Sequence, residues 1–302
     1  MGVGYSKKKR SYGWKKDIHD DRDLVLSFSK QDLRNIPSKV DLRSKFGVVY
    51  DQLDLDACNA NAICSLFGTD PSRMFLYFNE KKKKIESSIS LRDSIKTLIE
   101  FGVCDEKLWP YDLNKINSKP EDFETHFYNI KYKRIPKKLE HLKATLAKGY
   151  PFLFGFYVYD SFENCSGEYR PDKETENLLG GHCVCAVGYS DKKQSFLIKN
   201  SMGKNWGAEG YFLMSYDFIL SKECSDFWMF ESVTEYNVNE MKEKNQEKNI
   251  TSSENIPDKA EIENNFSDTF SEEDPSVMEK KYIEKKRTRD FKKNKFMIRK
   301  DM

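Results

Sequence analysis

DQLDLDACNANA, residues 51–62, sets one cysteine, Cys58, between three aspartates and a short apolar, alanine-rich run. A cysteine that does chemistry acts as its thiolate and wants electropositive surroundings. Asp51, Asp54 and Asp56 supply the opposite. Cys58 is therefore either an ordinary buried thiol or a nucleophile whose neighbours are offset from elsewhere in the chain. From Cys58 onward, CNANAICSLF carries Ala62, Ile63, Leu66 and Phe67 at helical spacing, which predicts a helix opening near Cys58 and stopping around Gly68.

Further out, SRMFLYFNEKKKK reads as a second helix or an extended turn. In SLRDSIKTLIEFG, Ser90 stands as N-cap, Leu91, Ile95, Leu98 and Ile99 form the apolar stripe, and Gly102 marks the stop. KKLEHLKATLAKG repeats the device with Leu139, Leu142, Leu146 and a closing Gly149. After Gly149 the texture changes. PFLFGFYVY, HCVCAVGY, SFLIKN, GYFLMSY and DFWMFES are short apolar or alternating runs split by glycine and polar turns, as strands are. Helices first and strands second predict a helical half and a β half, with a cleft between them as the place for a site.

The chain has 302 residues and a formal net charge of +2 that hides an uneven distribution. Residues 236–278 carry 11 Asp/Glu against 4 Lys, and residues 279–302 carry 11 Lys/Arg against 4 Asp/Glu. With little apolar periodicity, 236–302 reads as a disordered charged tail, acidic to 278 and then basic, the basic block being either a plainly solvated run or a docking element for an acidic partner. All seven cysteines lie before it, with no CxxC pair, no apolar leader and no membrane-length run. Free thiols in the cytoplasm or another reducing compartment are expected. The opening MGVGYSKKKR fits the pattern for myristoylation of Gly2, and residues 7–10 add a basic cluster. Together they suggest weak membrane association, in a cell or a virion.

Four histidines occur, at 19, 126, 141 and 182. His19 lies in a charged segment, His141 on the exposed side of its helix, and His126 is ambiguous. His182, in LLGGHCVCAVGYS, follows two glycines and opens an apolar strand. Eighteen residues later, Asn200 ends a strand in IKNSMGKNWGAEGYF. A cysteine at a helix start, a histidine at a strand start and an asparagine at a strand end are placed to converge across a cleft. In a Cys–His–Asn set the base takes the thiol proton and the amide orients the base. Metal-ligand spacing and a phosphate-cradling glycine loop are both missing, so no cofactor is expected.

On these residues the chain resembles the papain-like cysteine peptidases over roughly residues 11–232. Their Asp-Gln-Gly-x-Cys-Gly-Ser-Cys-Trp motif falls on residues 51–59, their Gly-His on Gly181 and His182, and their Asn-Ser-Trp-Gly-x-x-Trp-Gly on residues 200–207. YGWKKDIHDDRD, VDLRS, PSRMFLYFNE and FGVCDEKLWPYD resemble segments of the compact branch found in prokaryotes and large DNA viruses. The resemblance implies an α+β papain-like fold: a helical half at about 36–148 and an antiparallel β-barrel-like half at about 149–235. Residues 1–35 would be a basic segment or a short pro-segment, part of it lying in the cleft.

The resemblance also implies roles. Cys58 is the nucleophile, His182 the base and later acid, and Asn200 the group that holds the imidazole. The Gln52 side chain and the Cys58 N–H form the oxyanion hole. Trp206, with Met202, covers the Asn–His pair. Asp56 and Gly181 border the substrate pocket, and the substrate is a polypeptide hydrolysed through an acyl-enzyme. The helix dipole and a His182 imidazolium would stabilise the thiolate. Leu53 and Asp56 stand where the family has glycine, Asn59 and Met202 where it has aromatics, and Leu55 where secreted relatives have a disulfide cysteine. The contrasting reading is an inactive papain-like domain serving as an interaction scaffold.

Overall fold

The computed structural model describes residues 10–46, 48–67, 70–83, 88–120 and 125–236. Gly2, residues 7–9 and the charged tail from 237 onward, which carry the acylation, membrane and acidic-partner expectations, lie outside the described residues. The chain opens with α1 (Lys30–Arg34), β1 (Lys39–Asp41), α2 (Cys58–Cys64), α3 (Arg73–Lys83) and α4 (Leu91–Phe101). Punctuation decides the ends of α4. The Ser90 hydroxyl accepts the Asp93 N–H at 3.2 Å, and Gly102 stops the helix at φ +65°. α2 begins at Cys58 but ends at Cys64, earlier than its apolar spacing predicts, where the Ser65 hydroxyl turns back onto the Ala62 carbonyl at 2.7 Å.

Then follow β2 (Phe127–Arg134), α5 (Leu139–Ala147), β3 (Phe152–Tyr159), β4 (Glu168–Tyr169), β5 (Leu178–Ser190), β6 (Ser195–Lys199), β7 (Tyr211–Ser215), α6 (Tyr216–Leu220) and β8 (Cys224–Tyr236). Strand structure thus starts before Gly149. In β2, Tyr128 and Ile130 are buried while Asn129 and Lys131 are exposed, a period of two that seats the strand on β8. The strands form one sheet in the order β2-β8-β3-β5-β6-β7-β4, with β1 added on β5. Every pairing is antiparallel except β4 with β7.

The sheet is packed on both faces, which is why β5 reads as an unbroken apolar run. Cys183, Cys185 and Val187 face the helical core of α2, α3 and α4. Val184 and Ala186 face a second core built largely of phenylalanines from β3, β6 and β7. His182 shares that even-numbered face, its ring 5.7 Å from Phe156 and 5.6 Å from Phe162. His141, read from the sequence as exposed, is half-buried with its ring 5.2 Å from Phe28. All seven cysteines are free and buried.

Candidate active site

Cys58 is the first residue of α2, so its main-chain N–H has no partner within the helix. Across the cleft, His182 Nε2 lies 2.8 Å from Asn200 Oδ1. The same Asn200 oxygen accepts the Ser201 N–H at 2.9 Å, which fixes the amide's orientation and makes it an acceptor toward the ring. Nε2 must therefore donate. In the neutral ring the lone pair is then on Nδ1, which is buried and makes no hydrogen bond. The asparagine thus selects the tautomer in which Nδ1 is a base.

Gln52 is fully buried and held at both ends. Its main-chain N–H donates to the Ser201 carbonyl at 2.8 Å, and its Oε1 accepts the Ser201 hydroxyl at 2.6 Å. That leaves Nε2 to donate, to the Leu55 carbonyl at 2.9 Å and to the Ser11 carbonyl at 3.2 Å. Leu53, next to it, stands at φ +53°, in the left-handed region where glycine carries no penalty and leucine is strained. Trp206 and Met202 are buried, the indole 4.9 Å from Phe162 and 5.4 Å from Phe212, in the aromatic layer that also packs His182. The Asp56 carboxylate accepts a hydrogen bond from the Tyr77 hydroxyl, so its side chain is tied to α3.

The cleft is not empty. Residues 10–14, RSYGW, run through it as a strap. Ser11 places its carbonyl on Gln52, the Tyr12 ring meets His182 edge-on at 5.4 Å, and the Tyr12 hydroxyl is bonded to Glu163. Gly13 accepts the Ile89 N–H at 2.9 Å, and Trp14 donates to the Gly181 carbonyl at 2.9 Å. The Trp14 indole is 3 % exposed and fills a slot that exists because residue 155 has no side chain: a Cβ there would lie 1.8 Å from Trp14 Cε2. Beyond Trp14, Asp17 anchors the segment. Its N–H donates to Asp226 at 2.7 Å, and its carboxylate takes Arg134 at 2.9 Å and Trp228 Nε1 at 2.8 Å. Toward the other end, Arg10 enters a cavity of about 570 Å³ lined by Asp51, Leu53, Glu163, Met202 and Trp206.

Burial opposes the electrostatics expected of the pair. Burial pushes the Cys58 thiol up to about 11, outweighing the pull of the nearby Gly13 and Cys183 main-chain N–H groups. Burial likewise pulls His182 down to about 4, against the support of its Asn200 bond. The thiol also points a weak donor contact of 3.7 Å at the Asn59 side-chain oxygen. Burial therefore favours the neutral thiol and the neutral imidazole over the charged pair. Two strap residues meet the site at different points. The carbonyl on Gln52 belongs to Ser11, whereas the peptide N–H at the thiol belongs to Gly13.

The sequence-predicted residues Cys58, His182, Asn200, Gln52, Gly181, Trp206 and Met202 all line or support this cleft. Sequence reasoning missed Ser201 and the strap's individual contacts. Their signal was present, in a glycine flanked by two aromatics (Tyr12, Gly13, Trp14) upstream of the nucleophile. Among the described residues no group of His, Cys, Asp or Glu is arranged to hold a metal ion, and no helix is long and apolar enough to cross a membrane.

Comparison with known proteins agrees with this architecture. Residues 88–232 match the papain family cysteine protease description. An uncharacterised peptidase C1-like protein of Acanthamoeba polyphaga mimivirus is 34% identical over 280 residues, spanning 76% of this chain and 89% of its own. The crystal structure of xylellain, a cysteine protease from Xylella fastidiosa, superposes with a TM-score of 0.67 at 34% identity, over 77% of this chain and 100% of that one. A procathepsin B from Trypanosoma congolense shares the fold alone, with a TM-score of 0.60 at 19% identity, over 74% and 88%. A thiol at a helix start, an imidazole held by an amide just past a neighbouring strand, and two such relatives spanning most of the chain place it in the papain family of cysteine proteases.

Proposed function

We propose that this chain hydrolyses peptide bonds through a Cys58–His182–Asn200 triad and that the form described is a closed one, held shut by its own residues 10–14. The observation that carries the reading is the Asn200 oxygen, which takes one hydrogen bond from Ser201 and one from His182 and so leaves Nδ1 as the base.

With the strap displaced, burial of the pair falls and His182 Nδ1 takes the Cys58 proton. The thiolate attacks the substrate carbonyl carbon, and the C=O pair moves onto oxygen. That oxygen occupies the place vacated by Ser11, facing Gln52 Nε2 and the Cys58 N–H. Collapse breaks the C–N bond, and His182 returns its proton to the leaving amine. Water, deprotonated by the same nitrogen, then attacks the thioester, releasing the acid and restoring the thiol. Asn200 stays bonded to Nε2 throughout and keeps the ring in register.

The test is labelling by an electrophilic thiol probe with mass-spectrometric readout, alongside cleavage of a mixed peptide library with a Cys58→Ala control. Selective labelling of Cys58 that His182→Ala abolishes, with library cleavage absent from the control, supports a working enzyme. Even labelling across the seven thiols and no Cys58-dependent cleavage would favour the inactive scaffold.

A further inference from the structure

We infer that Tyr111 is a positioning residue of the oxyanion hole, holding the Gln52 main chain from the helical side of the cleft while Ser201 holds its side chain from the β side. The inference rests on the peptidase reading above. The Tyr111 hydroxyl donates to the Gln52 carbonyl at 2.9 Å, and burial raises its pKa well above that of a free phenol, so it remains a donor at every working pH.

The hydroxyl is itself fixed from behind. The ring lies 4.3 Å from the Arg73 guanidinium, which is sandwiched on its other face by Tyr50 at 4.1 Å. Glu106 clamps that plate, accepting Arg73 Nη2 at 2.5 Å and the Tyr111 N–H at 3.0 Å through one oxygen. Arg73 Nη1 also donates to the Asn61 oxygen at 3.2 Å, and Asn61 Nδ2 donates in turn to the Ala57 carbonyl at 2.9 Å. Ala57 carries the peptide whose N–H belongs to Cys58. One ionic plate therefore braces both donors of the hole, Gln52 through Tyr111 and the Cys58 N–H through Asn61.

A donor that must meet an oxyanion acts only if it is already in place when the charge develops, so a slack backbone at Gln52 lowers the acylation rate without altering the nucleophile. Alkylation by iodoacetamide separates the two effects. It needs an open cleft and the thiolate, which displaces iodide, but forms no oxyanion. The ratio of peptide hydrolysis to Cys58 alkylation therefore cancels any change in strap opening. In the full chain, Tyr111→Phe keeps the ring on Arg73 and should lower that ratio about tenfold. In a Gln52→Ala background, where the hole has already lost its side-chain donor, the same substitution should leave the ratio unchanged. Glu106→Gln loosens the plate without touching Gln52 and serves as the second variant, with a drop of about threefold again confined to chains carrying Gln52. An unchanged ratio in Tyr111→Phe, or an equal drop with and without Gln52, overturns the inference and leaves Tyr111 a packing residue. Absence of any hydrolysis by the unsubstituted chain and by Gly13→Ala, whose cleft is open to alkylation, refutes the peptidase reading instead, and this one with it.

Discussion

Gly13→Ala should switch the cleft open. A Cβ on residue 13 would sit 2.1 Å from the Asp56 carbonyl oxygen and 2.9 Å from its carbon, both main-chain atoms that cannot swing aside. Gly13 is also fixed in register by the Ile89 N–H and by its neighbour's bond to Gly181, so the strap has no slack to absorb a methyl group. Overpacking of this kind costs about 1–3 kcal/mol. The whole of it falls on the closed state, because the released strap is solvated and indifferent to the methyl group. With RT near 0.59 kcal/mol, the open fraction should rise by roughly 5- to 150-fold. The assay is the second-order rate of Cys58 alkylation by iodoacetamide at pH 7, followed by intact mass, beside turnover of a fluorogenic peptide. Both rates should rise together, since both wait on the same opening. If Gly13→Ala folds, keeps the wild-type rate in both assays and shows the same buried Trp14 fluorescence, the strap is not what limits access to Cys58, and the reasoning fails.

Other predictions concern the pair and its surroundings. Cys58→Ser or His182→Ala should lower peptide turnover by about 10³ or more, with Asn200→Ala milder, because the triad acts as a unit and the amide only orients it. In the folded chain burial holds His182 near 4 instead of 6.5, so its contribution to stability is complete above about pH 6.5 and is lost as pH falls through 4; at ~1.4 kcal/mol per unit this is roughly 3.5 kcal/mol, visible as a loss of stability in urea melts between pH 6.5 and 4 that His182→Ala removes. Asp226 works in the opposite sense. Burial and the facing Asp17, only partly offset by Arg134, raise its carboxyl to about 6, so its contribution is complete below its ordinary 3.8 and lost as pH rises through 6. Urea melts of Asp226→Asn should therefore gain on wild type as pH rises from 4 to 7, and parallel pH profiles would contradict the assignment. Asp56→Gly should move the acid limb of the rate profile down by about one unit at most, since the carboxylate raises the thiol's pKa, and an unmoved limb would place Asp56 outside the cleft's field.

Local chemistry made part of this molecule legible in advance. Ser90 and Gly102 delimit α4 because a hydroxyl cap and a left-handed glycine act on their own helix, whatever packs against it. Cys58, His182 and Asn200, the proposed nucleophile, base and orienting amide, stood out because they sit in short motifs with fixed neighbours. What escaped was every interaction whose partners are far apart in the chain. Ser11 on Gln52 and Tyr111 on Gln52 span 41 and 59 residues, and nothing in either stretch marks the other. The charge state escaped for the same reason. The aspartates around Cys58 suggested an electrostatic question, but the larger effect is desolvation by surroundings drawn from many parts of the chain. β2 was hidden inside the half assigned to helices, about 36–148, because its pairing strand, β8, lies almost a hundred residues further on.

The slot at Gly155 has a consequence for how such an enzyme answers to its surroundings. An inhibitor tethered to its own target is present at an effective concentration in the millimolar range for a short flexible connection, however dilute the protein. Free peptides entering the same slot therefore compete against a fixed local dose, and a lone enzyme molecule is as quiescent as a crowded one. Cutting the chain changes that arithmetic. The stretch after Asp17 is open to attack, with Ile18 85% and Leu24 67% exposed. A single nick there would leave the strap bound at first, but as an ordinary dissociable ligand. Its loss would then depend on volume: slow inside a confined particle, and effectively permanent once the contents were diluted.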